Sequence, residues 1–178
     1  RHEFLHALEE TGCVCEKSGW LPQHMITIDD ADESRLLGAM PWYLKFHSYG
    51  EYVFDWAWAD AWHRAGKPYY PKLVSAIPYT PVTGPRLLVS PDTEREAVVA
   101  ALVRHALELV NGTRSSRLHC LFTDDRDTNS LIDLGILRRT GCHFHWHNNN
   151  YSSFEDFLSA LTSRKRKKIR RERRYVQE

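Results

Sequence analysis

The chain has 178 residues, 42% of them hydrophobic and 26% charged, so it can bury a globular core and is not a disordered protein. No apolar run reaches the about 18 residues of a membrane span. The four cysteines have neither zinc-finger nor disulfide spacing. We therefore expect a cytoplasmic protein with reduced cysteines.

The first half of the chain predicts two short helices and four strands. The first helix carries Phe4, Leu5 and Leu8 on one face, and Asp55 caps a second, aromatic helix that ends at Gly66. The strands are predicted from alternating or continuous apolar runs between turn residues. They are His24 to Ile28, Leu36 to His47, Leu73 to Ile77 and Val82 to Val89.

The second half begins with the clearest helix, for which Ser90 is the predicted N-cap and Asn111-Gly112 the end. Its predicted inner stripe is Val98, Ala101, Leu102, His105 and Leu109. A strand from Leu118 to Thr123, a helix capped by Asp124, and a strand or hairpin within Ile136 to His147 follow. A capping box of Ser152 and Glu155 then opens a helix with one apolar face, formed by Phe154, Phe157, Leu158 and Leu161. This order predicts a mixed α/β fold with a central sheet.

Charge is unevenly distributed along the chain, although the net charge is only +1. Residues 164–174 contain nine Lys and Arg and a single acid, Glu172, whereas residues 1–163 are acidic overall. Because Ile169 is the only apolar residue between Ser163 and Tyr175, burial cannot stabilise a helix there and like charges repel. We expect the chain to be helical only before Ser163, and after it to be mobile or held by contacts with other molecules.

Several stretches of this sequence resemble the FemAB-like family of GNAT-related proteins, which is assigned to peptidoglycan biosynthesis or recognition. The resemblance covers nearly the whole chain. It is carried by the segments from Leu44 to Trp56, Tyr69 to Lys72, Thr80 to Arg86, Phe144 to Trp146 and Ser163 to Arg173.

The resemblance implies a tandem of two domains with the GNAT acyltransferase fold. Residues 1–150 would form the first domain, and residues 151–178 the basic helix that opens the second. The chain would then be the amino-terminal half of a longer protein. The implied activity is transfer of an aminoacyl or acetyl group to an amine of a peptidoglycan precursor or similar acceptor. The alternatives are a non-catalytic module that binds a peptide or muropeptide, and a tRNA-binding half.

The resemblance also bears on the acyl donor, which is acyl-CoA or aminoacyl-tRNA in such proteins. GNAT enzymes bind the CoA pyrophosphate on a glycine-containing turn before a helix. The corresponding segment here, Leu88 to Asp92, has no glycine and carries an acid. We therefore expect no cofactor in this half, no transferase activity in this chain alone, and weak or no binding of CoA.

Amine acylation needs a proton acceptor for the amine and donors for the oxyanion. Suitable side chains are concentrated between residues 45 and 60, and we predict that they form a substrate-binding site together with Arg86, which follows a glycine turn. Within this set, we expect Lys45, Tyr49, Glu51, Asp55 and Arg86 to converge on one cleft. Asp55 as a helix cap, Lys45 as a solvated residue and Arg86 in a surface ion pair are the alternatives. The predicted site residues are Lys45, His47, Tyr49, Glu51, Asp55, Asp60 and Arg86.

Two further segments contain candidate ligand-binding side chains. In His143-x-His145-x-His147, alternation would place three histidines on one strand face and Phe144 and Trp146 in the core. We interpret the histidines as a polar face and predict no metal, with zinc as the alternative. The basic end is a candidate phosphate or tRNA contact, with a solvated or domain-bridging helix as the alternative. The predicted contact residues are Arg164, Lys165, Arg166, Lys167, Lys168, Arg170 and Arg171.

Overall fold

A computed structural model describes residues 2–142 and 144–177. The chain divides into two compact units, residues 1–138 and residues 139–178. Seven strands are present in the described residues: β1 (Trp20–Pro22), β2 (Met25–Ile28), β3 (Leu36–Met40), β4 (Tyr43–Lys45), β5 (Lys72–Ser75), β6 (Leu88–Val89) and β7 (Leu118–Cys120). The α-helices are α1 (His2–Glu10), α2 (Trp56–Arg64), α3 (Arg95–Gly112), α4 (Asp125–Asp133), α5 (Phe154–Ser159) and α6 (Ser163–Gln177).

The strands of the first unit form two sheets. The larger sheet has the order β1-β4-β5-β7, in which the β5–β7 pair is parallel and the other two pairs are antiparallel. The smaller sheet has the antiparallel order β2-β3-β6. Helices α1 to α4 belong to the same unit. The predicted mixed α/β class, with a mixed sheet, is therefore confirmed.

The long helix α3 organises the main hydrophobic core of this unit. It contacts strands of both sheets, and its buried residues are Val98, Val99, Leu102, Val103 and Ala106. These pack with Met40, Trp42, Leu73 and Leu87. The predicted inner stripe was correct at Val98 and Leu102, but His105 is exposed and contacts the Ala101 carbonyl one turn earlier. A second core, which includes Val14, Trp20, Tyr43 and Val74, contains residues of β1, β4 and β5.

Two predicted strands are shorter than expected because side chains, and not neighbouring strands, form hydrogen bonds with part of their backbone. The strand predicted from Leu36 to His47 is divided into β3 and β4 at Pro41-Trp42, where the Trp42 amide donates to His24 Nδ1. Of the strand predicted from Val82 to Val89, only β6 remains. The residues before it curve around the Arg86 guanidinium, which binds carbonyls of this same segment.

The predicted cap of the long helix was wrong, although the helix itself was correct. Helix α3 begins at Arg95, five residues after Ser90. The Ser90 carbonyl instead accepts hydrogen bonds from the Thr93 amide and hydroxyl, which forms a turn, and the Ser90 amide donates to the Leu37 carbonyl. At α4 the predicted cap is confirmed, because the Asp124 carboxylate accepts from the Asp127 amide at 2.9 Å.

The second unit contains helices α5 and α6 but no strand among its described residues. The strand or hairpin predicted within 136–147 was therefore wrong for the described part, and Phe144 is 98% exposed rather than in a core. His143, the first histidine of the predicted row, lies outside the described residues. Trp146, also predicted to be in the core, is exposed, and its ring contacts those of Tyr151 and Phe157.

Both helix boundaries in the second unit differ from the predictions. Ser153, not Ser152, caps α5 by accepting from the Asp156 amide at 3.1 Å. The expectation that the chain is helical only before Ser163 was wrong, since α6 continues to Gln177. Two ion pairs, Lys168–Glu172 within α6 and Arg170–Glu155 between α6 and α5, offset part of the repulsion. Lys and Arg also have high helix propensity.

No helix in the described parts of the chain combines the length and apolar character needed to cross a membrane.

Candidate functional site

A row of large side chains crosses one face of the larger sheet. Cross-strand pairing places Trp20 of β1 beside Lys45 of β4, and Lys45 beside Lys72 of β5. Directly paired residues lie on the same face of a sheet, so these three side chains are neighbours. All three are fully buried, and the Lys45 ammonium lies 3.6 Å from the centroid of the Trp20 ring.

The connection between β4 and α2, residues 46–55, contributes the acids of the site. Gly50 lies at its centre with φ of +80°, a conformation that favours glycine. A Cβ atom at Gly50 would come within 2.7 Å of the Tyr79 ring. The Tyr79 amide donates to the Gly50 carbonyl at 3.1 Å, and the Lys45 ammonium donates to the Tyr49 carbonyl at 3.0 Å. These contacts hold the connection against the sheet.

The Lys72 ammonium is the centre of a buried polar cluster, formed by Lys72, Ser48, Glu51, Asp55 and Tyr69. It donates to Ser48 Oγ at 2.7 Å, to Glu51 Oε2 at 2.8 Å and to Asp55 Oδ2 at 2.6 Å. The Tyr69 hydroxyl also donates to Asp55 Oδ2, at 2.6 Å. Since Glu51, Asp55 and Lys72 are each at most 2% exposed, the cluster is shielded from solvent.

The two carboxylates of this cluster are electrostatically different. Burial raises the pKa of Glu51, and the attraction of Lys72 only partly opposes this effect. Burial also acts to raise the pKa of Asp55, but hydrogen bonds from Lys72, Ser48 and Tyr69 outweigh it and lower the pKa. Glu51 therefore accepts a proton more readily than Asp55. One oxygen of each carboxylate, Glu51 Oε1 and Asp55 Oδ1, is buried and has no hydrogen-bond partner among the residues that the structure describes.

Lys45 is the second cation beside this cluster. Burial lowers the pKa of Lys45 to about 7, with Lys72 adding to the decrease and Glu51 opposing it. A buried lysine with this pKa changes charge near neutral pH. The cluster with its neighbour Lys45 can therefore hold or release a proton under physiological conditions.

Replacing Lys45 with methionine is expected to remove part of the pH dependence of stability. The ordinary lysine pKa is about 10.4, so between pH 7 and 10 the unfolded chain binds more protons at this group than the folded chain. Its contribution to the free energy of unfolding therefore rises with pH, by up to about 1.4 kcal/mol per pH unit. Urea unfolding at pH 7 to 10 should show a shallower rise in Lys45→Met than in the wild type.

The matched control for this measurement is Lys17→Met, which removes an exposed lysine. Its pH dependence should follow the wild type. Equal pH dependence of the Lys45 variant and the wild type would contradict the assigned pKa of Lys45. The groups that face Lys45 are Trp20, Glu51, Lys72 and the Tyr49 carbonyl, and both variants leave them unchanged.

The structure brings Lys45, Glu51 and Asp55 together, but it places the other predicted residues differently. His47 lies beyond the end of β4, half-buried above Gly19, and its Nδ1 accepts from the Tyr49 amide. The Tyr49 side chain is 67% exposed. Asp60 is on the exposed side of α2 and pairs with Arg64 at 2.7 Å. Asp55 precedes α2 as predicted, but its carboxylate contacts Lys72 and Tyr69 instead of capping the helix.

Arg86 is buried in a different set of contacts. Its guanidinium donates to the carbonyls of Val82, Gly84, Pro85 and Leu121 at 2.8–3.1 Å. Its backbone amide donates to the Asp127 carboxylate. An arginine bound in this way holds the loop before β6 in place. Arg86 therefore has a structural role and is not a member of the polar cluster.

One group of side chains in the described residues has metal-ligand geometry. Glu51, Asp55 and His119 offer ligand atoms within 4.8 Å of one another. The Lys72 ammonium, however, already contacts both carboxylates at hydrogen-bond distance. A divalent cation would add charge beside a buried ammonium, which is unfavourable in a medium of low dielectric constant. The arrangement suits an ammonium-centred cluster better than a metal site.

Three residues of this site were not predicted from the sequence: Lys72, Ser48 and Tyr69. The segment Tyr69 to Lys72 was noted only as part of the family resemblance. The available signal was a lysine immediately before the apolar run Leu73-Val74, because a charged residue entering a buried strand usually has a partner. Its partners lie 17 to 24 residues earlier in the chain, and sequence spacing alone does not indicate that contact.

Comparisons with known proteins identify one family. Its profile, described as peptidoglycan biosynthesis or recognition, matches residues 1–178. No curated protein matches the chain in sequence. A crystal structure titled as a probable acetyltransferase matches with a TM-score of 0.45 and 14% identity, and the alignment covers 83% of this chain and 76% of that one. On the strength of the profile match, which extends over its whole length, the chain belongs to the FemAB-like family.

Proposed function

We propose that the protein is an N-acyltransferase that acts on an amine of a peptidoglycan precursor. The observation that carries this proposal is the buried ammonium-centred cluster of Lys72, Glu51 and Asp55 beneath residues 46–58. An amine nucleophile must lose a proton as the amide forms, and a buried pair of carboxylates is a suitable acceptor. The family association with peptidoglycan supplies the class of acceptor.

The surface above this cluster is rich in exposed aromatic rings, and we propose that it binds the glycan or peptide part of the acceptor. Phe54 is 78% exposed, and Tyr52, Trp56 and Trp58 are exposed as well. The rings of Tyr49 and Trp56 lie 5.2 Å apart. Aromatic rings provide large, rigid contact areas with a polar edge, which suits ligands that combine sugar and peptide groups.

The acyl donor is proposed to bind outside this half of the protein. The segment between β6 and α3 has no glycine, and Asp92 is exposed within it. Acyl-CoA would therefore meet an acid and a poorly shaped turn there. We propose an aminoacyl-tRNA or acyl-CoA that is bound by other parts of the complete protein. A cytoplasmic location is part of the same proposal, and the free thiols of all four cysteines are compatible with it.

The test is an acylation assay with the complete protein. It should be incubated with a peptidoglycan precursor that carries a free amine and with acetyl-CoA or aminoacyl-tRNA, and the products should be measured by mass spectrometry. We expect a mass increase of one acyl group on the precursor. Activity should fall in Glu51→Gln and Trp56→Ala, and it should be unchanged in Asp125→Asn, a surface acid outside the site. No acylation with any donor would contradict the proposal.

A second candidate function is recognition of muropeptides without catalysis. The exposed aromatic residues 49–58 favour it, because a binding surface needs the rings but no proton acceptor. In that case Trp56→Ala would weaken muropeptide binding, as measured by calorimetry. Neither the wild type nor Glu51→Gln would form an acylated product. The same two variants therefore separate the two functions.

We also propose that α6 contacts phosphate groups, such as those of tRNA. Of the seven predicted contact residues, only Arg166 is half-buried and the other six are exposed. If they bind phosphates, the affinity for tRNA should fall steeply with salt, with a log–log slope of roughly 0.7 to 0.9 per contact. Replacing residues 164–168 with glutamine should flatten that slope in filter-binding titrations.

The control for α6 is a variant in which five exposed basic residues outside the helix are replaced by glutamine: Arg64, Lys67, Arg104, Arg126 and Arg138. This control changes the net charge by the same amount. If the salt dependence of tRNA affinity decreases equally in both variants, the effect comes from the total charge and not from α6. Binding that does not depend on salt would indicate a solvated or domain-bridging helix instead.

A further inference from the structure

A chain of hydrogen bonds leads from the edge of the buried cluster to a partly exposed tyrosine. Tyr70 is half-buried, and its hydroxyl lies 2.9 Å from Ser48 Oγ. Ser48, the member of the cluster that contacts Tyr70, is 3% exposed. Its Oγ accepts from the Lys72 ammonium at 2.7 Å, and the serine hydroxyl also acts on Asp55, whose pKa it lowers. Tyr70 is therefore the residue in this series of hydrogen bonds that is accessible to a ligand.

The charge of the cluster favours movement of a proton from Tyr70 through Ser48 to the carboxylates. Two carboxylates, Glu51 and Asp55, share the single ammonium of Lys72. When Lys45 is neutral, and His119, which lies within 4.8 Å of both carboxylates, is neutral as well, the side chains of Lys72, Glu51 and Asp55 carry one net negative charge. One added proton makes them neutral. Burial penalises net charge, so the cluster gains stability when it takes up that proton. Because the two carboxylates share Lys72, the proton belongs to the pair as a unit.

We propose that Tyr70, Ser48 and the Asp55–Glu51 pair form a proton relay for amine acylation, with the Tyr70 hydroxyl as the group that contacts the acceptor amine. This inference rests on the proposed N-acyltransferase function. It adds a contact residue, Tyr70, and a route for the proton. Lys72 acts as a positioning residue, since it holds Ser48, Glu51 and Asp55 in place through three hydrogen bonds.

The amine nitrogen attacks the carbonyl carbon of an acyl ester or thioester donor, a C–N bond forms, and the C–O or C–S bond to the leaving group breaks. The nitrogen loses a proton to the Tyr70 oxygen while the Tyr70 proton passes to Ser48 Oγ. The Ser48 proton passes to the Asp55–Glu51 pair, of which Asp55 is the member that Ser48 contacts. Tyr70 and Ser48 end as neutral hydroxyl groups, each with an exchanged proton. The carboxylate pair carries one negative charge, which the Lys72 ammonium balances. The leaving group takes a proton from solvent.

The first test measures acylation kinetics in the complete protein with an amine-bearing peptidoglycan precursor and acetyl-CoA or aminoacyl-tRNA. Tyr70→Phe keeps the ring but removes the relay hydroxyl, so kcat should fall by about 10²- to 10⁴-fold with little change in KM. Ser48→Ala should behave in the same way. Tyr151→Phe is the matched control, because Tyr151 is a half-buried tyrosine outside the cluster. An unchanged kcat in Tyr70→Phe would overturn the relay.

The second test does not depend on activity and uses tyrosines labelled with carbon-13 at the ring carbon that bears the hydroxyl. The NMR signal of Tyr70 should shift with pH when the carboxylate pair takes up its proton, and Ser48→Ala should abolish that shift. The signal of Tyr151 should not follow the same titration. Absence of the Tyr70 shift in the wild type would overturn the relay. If the shift is present but the wild type acylates no amine, the proposed function fails and the coupled chain of hydroxyl groups stands.

Discussion

Replacing Lys72 with methionine is expected to lower the free energy of unfolding by about 3–5 kcal/mol. The variant keeps much of the side-chain volume but leaves the carboxylates of Glu51 and Asp55 buried without their ammonium partner. An unpaired buried charge is far more costly than the loss of an exposed ion pair. Urea denaturation at pH 7, followed by circular dichroism, measures the change.

Two further variants identify the source of that loss. In the Lys72→Met background, replacing Glu51 with glutamine should recover part of the stability, because it removes one of the unpaired charges. Lys17→Met, at an exposed position, should change the stability by less than about 0.5 kcal/mol. If Lys72→Met were as stable as the wild type, the cluster would not contain the charged ammonium that the proposed relay needs.

The same variant tests whether the buried cluster holds residues 46–58 in place. These residues are fixed by the cluster from below and carry exposed aromatic rings above. Loss of the Lys72 contacts should therefore loosen the aromatic surface as well as destabilise the fold. Hydrogen exchange of residues 46–58 should increase in Lys72→Met more than exchange in α3. A uniform increase over both segments would indicate global destabilisation alone.

The sequence was sufficient to predict the acidic part of this cluster but not its centre. Glu51 and Asp55 stood out because they are polar residues within an aromatic segment close to Lys45. Lys72 did not, because its position beside Lys45 depends on the pairing of β4 with β5. The sequence patterns predicted that strands exist in both places, but they contain no information on which strands are neighbours. A site formed by residues of several strands can therefore be predicted only in part from the sequence.

The errors in element boundaries and in the role of the Asp55 carboxylate have a common physical origin. At Ser90, at Asp55 and at Val82 to Arg86, polar side chains or carbonyls form local contacts that the periodic patterns do not include. Asp55 was predicted as a helix cap because its position and residue type suit that role. Its carboxylate has a stronger interaction with Lys72, a tertiary contact that overrides the local preference. Helix α3 had no such competition over its length, so the helix was predicted correctly and its stripe was correct at Val98 and Leu102.

The second large expected effect concerns Asp127, and it tests the structural role given to Arg86. The Asp127 carboxylate is 1% exposed and accepts from the amides of Arg86 and Leu87, at 2.5 and 2.9 Å. It also pairs with the Arg95 guanidinium at 2.5 Å. Asp127→Ala would leave these donors without their acceptor and an arginine without its partner. We expect a loss of about 3–5 kcal/mol in the free energy of unfolding.

Asp125→Ala, on the exposed first turn of the same helix, is the matched control and should cost no more than about 1 kcal/mol. Asp127→Asn retains one acceptor oxygen and should fall between the two in thermal or urea unfolding. Because Asp127 fixes the backbone of Arg86, its loss should also release the loop of residues 82–87, whose carbonyls surround the Arg86 guanidinium. Two results together would contradict this role: Asp127→Ala as stable as the wild type, and weaker binding of an anionic acceptor in Arg86→Gln. Arg86 would then be a ligand contact, as predicted from the sequence, and its role in holding the loop of residues 82–87 would be secondary.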